Sequence, residues 1–165
     1  MGLPGTELEN DPEGNPCFGC GPRNPSGLHL RFFVDGPVVR AEMAPRPEWA
    51  GWPEMWNLGL VIAGAIETCG WAAWEFLGPF RPTGAAALEF LGPIRLSHPL
   101  LFEARSTAQG KQSGVECRVL QDGGCVVQVR IELAALTSAE AKNALAAAVI
   151  PRSLRPGYEA RARSS

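Results

Sequence analysis

Between Leu58 and about Phe76 the chain has no proline, is rich in Ala, Leu and Ile, and is apolar nearly all round. A helix of that length spans roughly 28 Å at 1.5 Å per residue. Apolarity on every side predicts a helix enclosed by other structure. Before it, Leu28, Leu30 and Phe32 alternate with His29, Arg31 and Phe33, followed by Asp35-Gly36-Pro37 and a second run from Val38 to Met43, which predicts a hairpin. After it, Gly78-Pro79 and Pro82 end the helix. Ala85–Phe90, Leu100–Ala108, Gly114–Gln121 and Cys125–Leu136 then read as strands, punctuated by Gly92-Pro93, Gly110 and Asp122-Gly123-Gly124. A hairpin, one enclosed helix and a meander of strands make an α+β chain, with an antiparallel sheet wrapped around a long central helix.

The flanks differ from this middle. Residues 1–16 are acidic and rich in Pro and Gly, and read as a flexible lead-in to a domain over 17–136. Residues 137–165 read as a C-terminal helix capped by Ser138 and running to about Val149, then a tail from Pro151 with four arginines. That tail is either a solvated terminus or a contact for a phosphate or a neighbouring subunit, and the first reading is preferred. From Ala44 to Trp56 runs a long loop with Pro45, Pro47, Pro53, Trp49, Trp52 and Trp56, of a kind that is commonly functional in a compact domain.

With 165 residues, 45% hydrophobic and a formal charge of −2, the chain is sized for one globular domain and lacks the basic surplus of a nucleic-acid binder. Among fifteen basic residues only Lys111 and Lys142 are lysine, which reads as composition before phosphate binding. No apolar run at the N-terminus suggests a signal peptide, and Glu67 and flanking prolines interrupt the central helix, so neither export nor membrane insertion is expected and the location is expected to be cytoplasmic. Five cysteines, an odd and sparse set, fit reduced thiols.

Cys17-Phe18-Gly19-Cys20 has the spacing of half a zinc site, which needs two more N or S ligands. Only His29, His98 and scattered cysteines offer them, or a second copy of the pair in a symmetric dimer. Structural thiols are therefore placed ahead of zinc, redox chemistry last, and no metal or cofactor is expected.

Two segments together carry a family resemblance: CFGCGPRNPSGLHLRFF from Cys17, and GWPEMWNLGLVIAGAIETCGWAAW from Gly51 to Trp74. They resemble the opening segment, substrate loop and central helix of hotdog-fold acyl-CoA thioesterases of the phenylacetate-degradation type. Those read G-W-P-G-x-x-H-G-G followed by L-x-D-E-x-x-G-W-A. The resemblance covers residues 17 to about 136 and implies a hotdog fold, an acyl-CoA or similar thioester ligand, and at least a homodimer with sites between subunits. An isolated sheet edge supports pairing as well.

The family's catalytic letters are altered here. Asn57 stands at the His position, Leu58 and Gly59 follow, and Ile66 occupies the place of the acid, with Glu67 beside it. Thioester hydrolysis requires a polarised carbonyl and an acidic residue acting on water or attacking. By position the Leu58 N–H is the carbonyl donor, since a helix start has unpaired amides and a positive dipole end. Glu67 is the remaining candidate acid, although one residue is a 100° turn of the helix. Asn57 either orients water or a carbonyl, or simply caps the helix. Trp52, Trp56, Gly59 and Trp71 are the expected binding residues, with core packing the alternative for the tryptophans. Cys69 reads as a small hydrophobe. The expected function is an acyl-thioester hydrolase, with a non-catalytic binder of an acyl thioester or other apolar ligand as the alternative.

Overall fold

The computed structural model describes residues 3–11, 14–107, 113–146 and 154–164. The strand end at Ala108, the turn at Gly110, the helix end near Val149 and the start of the tail at Pro151 fall outside them. Strands β1 (Thr6–Glu7), β2 (Phe33–Asp35) and β3 (Val38–Met43) precede helix α1 (Leu58–Leu77). Then follow β4 (Phe80–Phe90), β5 (Leu100–Ser106), β6 (Ser113–Gln121) and β7 (Gly124–Ala135), and helices α2 (Ser138–Ala146) and α3 (Arg155–Arg163). The strands form one antiparallel sheet in the order β1-β2-β3-β5-β6-β7-β4.

The period-two pattern sets which face is inward. Val39, Ala41 and Met43 on β3, Leu100, Phe102 and Ala104 on β5, and Val115, Cys117 and Val119 on β6 are all fully or almost fully buried. Against them α1 lays Val61, Ala65, Thr68, Cys69 and Ala72, spaced at helical intervals. The approach is close: a Cβ on Gly64 would stand 2.8 Å from the Phe102 ring. Thr68 loses no hydrogen bond in this apolar setting, because its hydroxyl donates to the Gly64 carbonyl at 2.8 Å. The β6–β7 turn has positive φ at both Asp122 and Gly123, as a two-residue hairpin requires.

Three expectations are corrected. The stretch read as a flexible lead-in supplies β1, which pairs with β2, and its Asn10 and Asn15 side chains bond to each other at 2.9 Å. Helix α2 is capped by Thr137, not Ser138. The Thr137 hydroxyl accepts from the Glu140 amide and the Glu140 carboxylate accepts from the Thr137 amide, a reciprocal capping box. Ser138 instead donates to the Ala162 carbonyl at 2.9 Å. The tail folds back as α3: Arg161 donates to the Leu136 carbonyl and Ala162 is buried.

Helix α1 is enclosed on one side only. Leu58 and Ile66 are 43% and 45% exposed, because the sheet of a single chain wraps part of the helix circumference. Among the described residues α1 is the one helix long and apolar enough to cross a bilayer, and its buried side packs on the sheet. Strand β4 lies at the sheet's end, with nearly all its residues exposed and Leu88 and Phe90 among them.

Candidate functional site

Asn57 is the N-cap of α1. Its Oδ1 accepts from the amides of Gly59 at 2.9 Å and Leu60 at 3.4 Å. The cap thus occupies the acceptor atom of Asn57 and the amide of Gly59. Val61 donates to the Asn57 carbonyl, which leaves Leu58 as the first-turn residue whose N–H has no partner among the described residues. A lone amide at the positive end of a twenty-residue helix is suited to a carbonyl oxygen or an anion.

The loop before it is anchored by its aromatics. Trp56 is 1% exposed, its indole N–H donates to the His98 carbonyl at 3.1 Å, and its ring packs on Trp49 at 5.9 Å. Trp56 is therefore core, whereas Trp52 is 80% exposed at the loop's outer side. A wide surface cleft of about 860 Å³ borders this loop at Pro45, Arg46, Glu54 and Arg95, and includes none of Asn57, Leu58 or Glu67.

The apolar cavity lies at the other end of α1 and measures about 370 Å³. One wall is the α1 stretch Ile66, Glu67, Gly70, Trp71 and Trp74. The others are Phe80 and Pro82 of β4, Ile131 and Leu133 of β7, and Leu154 and Tyr158 of the C-terminal segment. Tyr158 stacks on Trp74 at 5.5 Å, and a Cβ on Gly157 would meet the Trp74 ring at 2.7 Å, so α3 seals that end closely. Trp71 is fixed from behind by stacking on Phe32 at 5.0 Å.

Three polar groups reach this cavity together. The Cys17 thiol donates to Glu67 Oε1 at 3.4 Å, and Cys17 Sγ, Cys20 Sγ and a Glu67 oxygen all lie within 4.8 Å of one another. Asn15 donates to Cys20 Sγ at 3.3 Å. Burial pushes the Cys20 thiol well above its ordinary pKa, and the Glu67 charge beside it acts the same way, against a smaller opposing effect of the Trp71 indole. Glu67 thus faces the Cys17–Cys20 loop, while Ile66, one helix step away, is half-exposed at the cavity rim.

The structure brings Glu67 and Trp71 together at the cavity and places Asn57, Leu58 and Gly59 at the helix start, where Trp56 precedes the cap with its ring in the core, while Trp52 stands out in solvent. Nine residues separate Leu58 from Glu67, an axial distance of about 14 Å. Sequence reading missed Tyr158 and Leu154 as cavity residues. Only the apolar spacing inside the arginine-rich tail hinted at them. His98 bonds to Asp122 at 2.6 Å on the surface and does not line the cavity.

Comparison with known proteins gives the fold and no closer kinship. No family model matches the chain, and no curated protein matches its sequence. Among solved structures it is similar to a thioesterase superfamily protein with a TM-score of 0.61 and 19% identity, over 69% of this chain and 60% of that one. The chain thus spans less than two thirds of that protein's length. It is also similar to a point variant of the phenylacetic acid degradation protein PaaI from Thermus thermophilus, with a TM-score of 0.58 and 14% identity over 66% and 95% of the two chains. For PaaI from the E. coli phenylacetic acid degradation operon the values are 0.57 and 16%, over 66% and 80%. The chain has the hotdog fold.

Proposed function

We propose that this hotdog-fold chain is an acyl-thioester hydrolase acting on acyl-CoA or a similar thioester, as a homodimer or higher homo-oligomer in the cytoplasm. The observation that carries the reading is an apolar cavity of about 370 Å³ with a single carboxylate, Glu67, in its wall. That volume and lining suit an acyl group, and the carboxylate is the group that hydrolysis requires in addition to a carbonyl donor. The Leu58 N–H supplies the donor. At about 14 Å from Glu67 along one helix, it cannot serve the same carbonyl within one subunit. A site between subunits joins the Leu58 amide of one to the Glu67 carboxylate of the other. The exposed Leu58 and Ile66 side chains and the open edge of β4 support such pairing.

In this mechanism the Leu58 amide holds the thioester carbonyl oxygen as it gains charge, and Glu67 takes a proton from the attacking water. Trp71, held by Phe32, shapes the wall against which the acyl group packs. Asn57 positions the donor by capping its helix.

A second reading has its own observation. The Asn57 acceptor is occupied by the cap, and exposed Ile66 occupies the usual acid's place, an arrangement that favours holding a thioester without turnover. Thiol release from acyl-CoAs, measured with ligand titration in the same samples, separates the two. Turnover that Glu67→Gln abolishes supports the hydrolase, and saturable binding without thiol release supports the binder.

A further inference from the structure

We propose that Cys17, Cys20 and Glu67 form a binding site for a thiophilic divalent cation, Zn²⁺ by the chemistry of its donors, with the fourth coordination position facing the apolar cavity. Loop and helix geometry point to it, and it stands apart from the general-base role given to Glu67 above, because a carboxylate bound to a cation is not free to take a proton from water.

Two sulfurs and a carboxylate oxygen from elements fifty residues apart converge within 4.8 Å. In tetrahedral zinc sites, bonds of about 2.3 Å to sulfur and 2.1 Å to oxygen place neighbouring donors roughly 3.6–3.8 Å apart. Cys17 Sγ and Glu67 Oε1 already stand at 3.4 Å. A modest rotation of side chains brings in the third donor.

The loop is shaped around its sulfurs. The Gly19 amide donates to Cys17 Sγ at 3.3 Å, the Gly21 amide to the Cys17 carbonyl at 2.9 Å, and Asn15 to Cys20 Sγ at 3.3 Å. Donors aimed at both sulfurs hold them as acceptors, the role of a thiolate bound to a metal. Asn15 is itself 5% exposed, and its Oδ1 accepts from the Cys17 amide at 2.9 Å. Gly21 is sterically required by backbone, and Gly19 lies directly against the Glu67 side chain. A Cβ on Gly19 would lie 2.6 Å from the Glu67 carboxyl carbon, and one on Gly21 within 2.5 Å of Cys17 and Asn15 backbone atoms. The loop therefore runs close over the carboxylate at Gly19.

A hydrogen bond from the Cys17 thiol accounts for one sulfur at the carboxylate, but not for the second sulfur gathered within 4.8 Å of both. Charge points to a cation: among the described residues lining the cavity there is no Lys, Arg or His beside these three potential anions. With three protein donors the fourth position of a tetrahedron stays open, and all three donors line the cavity. Water or a donor atom of the cavity's occupant completes the shell.

The test uses the full chain without a polyhistidine tag, purified without chelator under reducing conditions. Metal analysis is expected to find stoichiometric zinc, lost in Cys17→Ser and Cys20→Ser and retained in Cys125→Ser. Cobalt(II) added to stripped wild-type protein is expected to give thiolate-to-cobalt charge-transfer absorption with tetrahedral ligand-field bands. Glu67→Gln should keep the charge-transfer bands and weaken cobalt affinity roughly tenfold or more. Cobalt binding without charge transfer, metal content unchanged in both cysteine variants, or a mass short of two hydrogens from a Cys17–Cys20 disulfide in reducing buffer would each overturn the proposal. The wild-type cobalt spectrum decides the matter even if the cysteine variants fail to fold.

Discussion

The ring of Tyr158 lies stacked on that of Trp74, 5.5 Å between centroids and 19° between planes, joining the last helix to the central one. Through this contact the arginine-rich tail becomes a wall of the apolar cavity. Stacked aromatic pairs contribute about 0.5–1.5 kcal/mol beyond the area they bury. Tyr158→Ala should therefore lower the melting temperature slightly and weaken binding of an acyl ligand about tenfold, read by thermal unfolding and by fluorescence titration. Unchanged affinity would remove α3 from the binding site.

Asn57 should behave as a cap. Asn57→Ala is expected to destabilise the protein by about 1 kcal/mol, while Asn57→Asp, which keeps an acceptor for the Gly59 amide, should be nearly neutral. Denaturant unfolding of both variants checks this. If instead Asn57→Asp keeps stability but loses ligand binding, the side chain has a direct contact with the ligand.

Gly64 sets how closely α1 sits on the sheet. A methyl group there would stand 2.8 Å from the Phe102 ring, so Gly64→Ala should cost about 1–3 kcal/mol by overpacking, despite alanine's better helix propensity. A stabilised variant would mean that Phe102 has room to turn.

Above the ordinary thiol pKa of about 8.5 the metal-free protein should lose stability as pH rises. Burial and Glu67 raise the Cys20 pKa in the folded state, so the unfolded chain ionises first and binds fewer protons. The loss begins at the unfolded pKa and continues towards the folded one. Cys117, raised by its hydrogen bond with Cys69 and by burial, adds to the same slope. Cys20→Ala should remove its share, measured as unfolding free energy between about pH 8 and pH 10.

Pairing through β4 predicts that Phe90→Asp, with Leu88→Lys added if needed, yields a monomer in analytical ultracentrifugation. A monomeric wild-type protein would leave no partner for the Leu58 amide and Glu67 to share a carbonyl.

Much of the fold was legible because periodicity is local. Period-two runs gave β3 and β5–β7, and the proline-free apolar run gave α1 almost to the residue. What the pattern could not show were meetings between distant segments. Glu67 under the Cys17–Cys20 loop joins residues fifty apart, and nothing in either segment announces the other. An aromatic loop likewise looks the same whether a ring turns inward, as Trp56 does, or outward, as Trp52 does. The arginine-rich tail concealed α3, whose anchoring residues Tyr158 and Ala162 are few among polar neighbours. Full enclosure of α1 was overestimated because apolarity records every surface a helix covers, including any supplied by a second subunit.

The most direct measurement is thiol release from short aliphatic, long aliphatic and aryl acyl-CoAs by the wild type and by Glu67→Gln. The wild type is expected to turn over at least one class, and Glu67→Gln to lose that turnover while still folded and still binding the ligand. Undiminished turnover in the variant, or saturable binding with no thiol release by the wild type, would contradict it.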